Sequence, residues 1–254
     1  MSMTLLTARW SNLCLLTYAV PPALLESRVP PGLALEVRDG RAFVSLVAFE
    51  FHHTRVLGVP WPGYTEFPEV NLRFYVRHGD DRGVVFVKEF VPQGLVAFLA
   101  RSVYGEPYKA APMRSKVATS AGGEVSVEYR VRFGGRTNRL KVVGHGPCTT
   151  PDCHSVDHFF KEHRWGFGTR HGRAIQYEVE HPTWACYHVD RHELDWDWGR
   201  VYGPDFAGLA DVEPCSVLLA VGSPVSVHSK GRVTDEVPAA LDARPAPGAF
   251  GTVQ

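Results

Sequence analysis

Along much of the chain, apolar and polar residues alternate one for one. In EVSVEYRVRF, Val125, Val127, Tyr129, Val131 and Phe133 share one face, and Glu124, Ser126, Glu128, Arg130 and Arg132 the other. That is the pattern of a strand with one wet side. Further strand segments are RAFVSLVAFEF, NLRFYVRH, VVFVKEFV, NRLKVVGH, AIQYEVEH, WACYHVD, SVLLAVG and VSVHS. Asp39-Gly40 reads as a hairpin turn joining LALEV to RAFVSLVAFEF, and GDDRG joins NLRFYVRH to VVFVKEFV. About ten strands result. Helical spacing is confined to PPALLESRV, to PQGLVAFLARSVY, and to SVDHFFKEH, where Ser155 suits an N-cap. The pattern therefore predicts a mainly β, mostly antiparallel fold with a few short helices. So many strands must close into a barrel or stack as two sheets to cover their edges.

From Lys230 onward, KGRVTDEVPAALDARPAPGAFGTVQ loses the period and gains proline and alanine. Residues 1–229 are thus expected to form a single β domain and 230–254 a C-terminal tail.

Composition narrows the function. With 44% hydrophobic and 21% charged residues in 254, the chain has a globular mixture. Lys plus Arg balance Asp plus Glu at 27 each, so no long-range field gathers phosphate backbones, and no nucleic-acid partner is expected. Arg9, Trp10, Ser11 and Asn12 interrupt the apolar runs of the N-terminus, so neither an export signal nor a membrane span is predicted. Five cysteines at irregular spacing do not suit a disulfide framework, and a cytoplasmic setting is the expectation.

Two places carry candidate chemistry. On the strand at 69–77, Glu69, Asn71, Arg73 and Tyr75 fall on one face, and Val70, Leu72, Phe74 and Val76 on the other. The polar row either orients a small ligand inside a cavity or faces solvent with Glu69 and Arg73 as a weak surface pair. In RSVYGEPYKAAPM, Lys109 could be a nucleophilic amine only if burial or a neighbouring cation kept it unprotonated; otherwise it is a loop lysine reaching to water. Cys148, Cys153, His154 and His158 lie close in sequence, but CxxC and HExxH spacings are absent and a capped helix is the simpler reading, so no metal is assigned. His181 before Pro182 reads as a strand-end residue. Neither a glycine-rich phosphate loop after a strand nor GxSxG occurs.

The order of segments resembles the acetoacetate decarboxylase superfamily, and most closely its uncharacterised bacterial branch. The resemblance rests on ARWSNLCLLTYAVPPALLESRVPPGLALEVRDGRAFVSLVAFEF, PGYTEFPEVNLRFYVRHG, YGEPYK, EHRWG, EVEHPTW and LLAVGSPV, which together span most of residues 9–228. It implies an antiparallel β-barrel or cone with an internal pocket. In those decarboxylases an aromatic-x-Glu segment supplies a pocket acid; Phe67-Pro68-Glu69 matches it, with Tyr64-Thr65-Glu66 as a competing register. The Schiff-base lysine and the lysine that tunes it follow an aromatic-Pro pair. Here Gly105-Glu106-Pro107 leads to Tyr108 at the nucleophile's place and Lys109 at the second. A phenol cannot form an imine, so classical decarboxylation is not expected.

The resemblance also places an arginine near the N-terminal strand, for which Arg9 stands nearest, and a further acid, for which Glu50 does. It thus implies a pocket for a small organic acid or carbonyl compound. Glu69 and Lys109 would carry any chemistry, and Arg73, Tyr108, Asn71, Arg9 and Glu66 would hold the ligand, without a cofactor. Lyase-like activity on a small keto or hydroxy acid and non-catalytic binding both remain open, as does a homo-oligomer.

Overall fold

The computed structural model describes residues 3–94, 107–170 and 172–233. Their strands are β1 (Thr4–Val20), β2 (Ala34–Leu35), β3 (Ala42–Val56), β4 (Phe67–His78), β5 (Asp81–Val91), β6 (Tyr108–Ala110), β7 (Met113–Thr119), β8 (Glu124–Phe133), β9 (Arg136–Thr149), β10 (Trp165–Arg170), β11 (Arg173–Glu180), β12 (Cys186–Asp195) and β13 (Ser216–Arg232). Two short helices are α1 (Val156–Lys161) and α2 (Trp198–Tyr202). Ser155 caps α1 by accepting the His158 N–H at 3.1 Å. The segment PPALLESRV forms two 3₁₀ turns, Pro22–Leu24 and Glu26–Arg28, in place of a longer helix. The helix expected in PQGLVAFLARSVY lies almost wholly outside the described residues.

Strands β1, β3, β4, β5, β10, β11 and β13 pair in that order, and β13 returns to pair with β1 from Thr4↔His228 to Thr17↔Ser216. The result is a ring. All pairs are antiparallel except β5 with β10 and β5 with β6. Strand β13 joins the segments SVLLAVG and VSVHS through Gly222, which adopts a φ of 90° against β1; a Cβ there would fall 2.1 Å from the Trp10 carbonyl oxygen. Only glycine accepts both the backbone angle and the approach.

Beyond Ser229 the strand continues to Arg232, paired with Ile175 of β11. Backbone pairing with β11 forms those rungs whatever the side chains are.

Off β13 run β12, β9, β8 and β7 as a second wing of the sheet. Leu16, Leu46, Leu72 and Phe74 on the outer wall of the ring share one core with Val127, Tyr129, Val131 and Val142 of the wing. Leu13, Leu15, Val47, Phe49 and Phe51 point the other way, into the ring, with Trp184. This two-sided burial explains the nearly unbroken apolar run of β3. The Asp39-Gly40 turn forms, with φ of 49° and 72°, and Arg38 bridges Arg41. The short β2 before it pairs with β4, not with β3.

Candidate active site

The interior of the ring holds a cavity of about 90 Å³, space for a small organic molecule or several waters. Its wall is aromatic, with Trp10, Phe49, Phe51, Phe86, Tyr177 and Trp184, and its polar floor is Glu69, Asn71, Arg73, Glu89 and Tyr108. Alternation along β4 puts the polar row inside and sends Val70, Leu72, Phe74 and Val76 into the outer core. Gly166 permits the close packing of Tyr177, whose ring would lie 2.1 Å from any Cβ at that position.

Register brings three of the floor residues abreast: Asn71 opposes Glu89 on β5, and Glu89 pairs with Tyr108 on β6. Glu69 accepts from Asn71 Nδ2 at 2.9 Å and from the Tyr108 hydroxyl at 3.1 Å, and is hydrogen-bonded to Glu89. Two carboxyl groups can share a hydrogen bond only if one of them carries a proton. Burial drives the Glu69 carboxyl up to about 7, against the opposing pull of the hydrogen bonds from Asn71, Tyr108 and Glu89. Glu69 therefore keeps its proton to higher pH than an ordinary carboxyl, with Glu89 as a hydrogen-bond partner.

Arg73 is positioned from the other side. Its guanidinium donates to the Phe160 carbonyl at the end of α1 at 2.9 Å. The Tyr75 hydroxyl reaches the same oxygen at 3.4 Å and continues through Ser45 to Thr17 as a buried hydroxyl chain. Among the described residues no carboxylate forms an ion pair with Arg73, and its Nε has no hydrogen-bond partner. His163 packs its ring 4.8 Å from Tyr75; burial and then the cations Arg73 and Arg82 hold its imidazole well below the usual range, so it is neutral.

Four residues named for the pocket lie elsewhere. Lys109 neighbours Tyr108 on an extended strand, so it turns to the opposite side and is exposed; among the described residues no lysine lines the cavity. Arg9 is exposed on the outer wall because the bulge at Asn12 (φ 55°) shifts the phase of β1, sending Leu6 and Trp10 inward instead. Glu66 sits just before β4 on the outside, bound by the His53 N–H at 2.8 Å and by His52, which leaves Glu69 as the pocket acid. Glu50 also faces outward, accepting from Asn12 and Ser115.

Glu89, Trp10 and Trp184 escaped the sequence reading. An acid inside the apolar run VVFVKEFV was the available signal for Glu89. His181 stacks on Trp184 with centroids 4.1 Å apart. Among the described residues no group of His, Cys, Asp and Glu is arranged to hold a metal, the Cys148 to His158 stretch included. No described helix is long and apolar enough to cross a membrane.

Residues 7–224 match the DUF2071 family of uncharacterized conserved proteins. The chain belongs to this family. It is similar to the uncharacterized protein YqjF of Bacillus subtilis (strain 168), with 27% identity over 189 residues, 71% of this chain and 74% of that one. Among solved structures it resembles an acetoacetate decarboxylase-like enzyme from Sphingomonas wittichii RW1 at a TM-score of 0.62 and 17% identity, over 91% of this chain and 93% of the other. It also resembles the enduracididine biosynthesis enzyme MppR complexed with pyruvate, at 0.59 and 15% over 90% and 91%. The acetoacetate decarboxylase-like fold of this DUF2071 protein is thereby established, together with its mainly β character.

Proposed function

We propose that the ring cavity binds a small organic acid or carbonyl compound and that the Glu69–Glu89 pair moves a proton on it. One observation carries this reading: a guanidinium that has no carboxylate partner among the described residues faces a cavity whose opposite wall holds two hydrogen-bonded carboxyl groups. A half-buried cation left this way favours an anionic ligand, because a ligand carboxylate supplies the opposite charge and an acceptor for the unpaired Nε. With its carboxylate on Arg73, a keto or hydroxy acid would lay its carbonyl or hydroxyl oxygen toward Tyr108 and the carboxyl pair. The Tyr108 phenol would donate to that oxygen while Glu69, titrating near 7, gives or takes a proton.

Tyr108 stands where the resembling decarboxylases carry their nucleophilic lysine, and Lys109 is exposed, so the chemistry would be acid–base without an imine. That a fold relative is described in complex with pyruvate agrees in ligand class.

The test is a panel of 2-keto, 3-keto and hydroxy acids scored by thermal stabilisation and by exchange of α-hydrogens with D₂O. A ligand present at 100 times its Kd stabilises the fold by about 2.7 kcal/mol. This gain should vanish in Arg73→Gln. Stabilisation without exchange or turnover would reduce the site to a binding pocket. No stabilisation by any acid would end the proposal.

A further inference from the structure

On the outside of the same wall, three side chains stand in line. The Ser11 hydroxyl lies 2.8 Å from His52 Nε2, and His52 Nδ1 is hydrogen-bonded to Glu66 Oε2. We infer that Ser11, His52 and Glu66 form a nucleophile–base–acid triad that hydrolyses small carboxylic esters, separate from the ring cavity.

The proton directions follow from the chemistry of each group. A carboxylate only accepts, so His52 Nδ1 donates to Glu66, and Nε2 is left with the lone pair that takes the Ser11 hydroxyl hydrogen. On the far side of Ser11, Asn12 Nδ2 can only donate; it lies 3.3 Å from Ser11 Oγ and 2.6 Å from Glu50 Oε2. Every group in the row Asn12, Ser11, His52, Glu66 is thus oriented for removal of the serine proton by the imidazole. Glu66 is itself fixed by the His53 backbone N–H, and Glu50 Oε2 stands 3.8 Å from His52 Nε2, so an imidazolium formed during reaction meets a carboxylate on each side.

Backbone geometry builds the site. Asn12 and His53 both adopt left-handed φ, at 55° and 53°, and β1 bulges against β3 between Ser11 and Cys14. Strain of this kind persists only where surrounding structure imposes it. Here Gly222 lets β13 press on the bulge: a Cβ on it would fall 2.8 Å from Ser11 Cα. The site is reachable, with Ser11 half-buried and the His52 side chain 33% exposed.

The reaction balances with water alone. Ser11 Oγ bonds to the ester carbonyl carbon as its proton passes to His52 Nε2, and the carbonyl oxygen becomes an oxyanion facing the Asn12 Nδ2–H that at rest points to Ser11. The C–O bond to the alcohol then breaks and His52 returns the proton to the leaving oxygen. Water attacks the acyl carbon as its proton passes to His52 Nε2; the carbon–Oγ bond then breaks, His52 returns that proton to Ser11 Oγ, and the carboxylic acid leaves. The shallow, wet setting fits short acyl groups.

The experiment treats the full chain with a fluorophosphonate, maps the adduct by peptide mass, and measures p-nitrophenyl acetate hydrolysis. A single adduct on Ser11 is expected, missing in His52→Ala, with hydrolysis falling at least about 100-fold in Ser11→Ala and in His52→Ala. Far-UV circular dichroism and melting of both variants separate loss of chemistry from loss of fold, and the adduct on unsubstituted protein does not depend on either variant folding. No adduct on Ser11 after exhaustive labelling, or hydrolysis unchanged in Ser11→Ala, would overturn the inference.

Discussion

Replacing Glu69 by glutamine tests the cavity through stability rather than activity. Glu69 is 3% exposed, and its carboxyl titrates at about 7 in the folded chain against an ordinary 4.5. Because the folded value is the higher one, the native state binds more protons than the unfolded state between these two limits. The stabilising contribution of the neutral carboxyl is complete below pH 4.5 and is lost as pH rises through about 7. The gap corresponds to roughly 3 kcal/mol, a large share of the ~5–15 kcal/mol that holds a typical domain folded. Glutamine keeps the shape, can accept from Asn71 with its oxygen and donate with its amide where the protonated carboxyl donated, and does not titrate.

Urea denaturation of both proteins at intervals from pH 4.5 to 8 gives the difference directly. Neutral His163, whose depressed value works in the opposite sense, is common to both and cancels. The variant should gain on the wild type by roughly 3 kcal/mol across the window. Stability curves that stay parallel to within about 0.5 kcal/mol would refute the claim that Glu69 holds its proton to neutral pH.

Three further outcomes follow from the same geometry. Tyr108→Phe removes a donor to the Glu69 carboxylate and should move the midpoint of that pH-dependent stability difference above about 7; a downward move would contradict the hydrogen-bond assignment. Gly166→Ala should cost at least about 2 kcal/mol in urea melts, because the methyl meets the Tyr177 ring inside the wall, and an unchanged midpoint would show that the ring yields freely. Lys109→Ala should stay within about 0.5 kcal/mol of wild type, and borohydride reduction with pyruvate should leave Lys109 unmodified, an adduct there being the contrary result.

Much of this fold was legible in the residues because strand periodicity is local. The alternation at 69–77 suffices to split Glu69, Asn71 and Arg73 from Val70, Leu72 and Phe74 whatever the strand later packs against. The same rule separates Tyr108 from Lys109, since adjacent residues on an extended strand cannot enter one cavity. What periodicity leaves open is which face turns inward, and there the tertiary structure decided.

Ring closure through β13 made the polar row of β4 a cavity floor, and register placed Glu89 between Asn71 and Tyr108. Arg9 fell outside because one left-handed residue, Asn12, shifted the phase of β1, a bulge that only pairing with two neighbours could impose. Ser11, His52 and Glu66 met for the same reason. Residues far apart in sequence become neighbours by strand pairing, and pairing is set by the energy of the whole sheet rather than by any short stretch of chain.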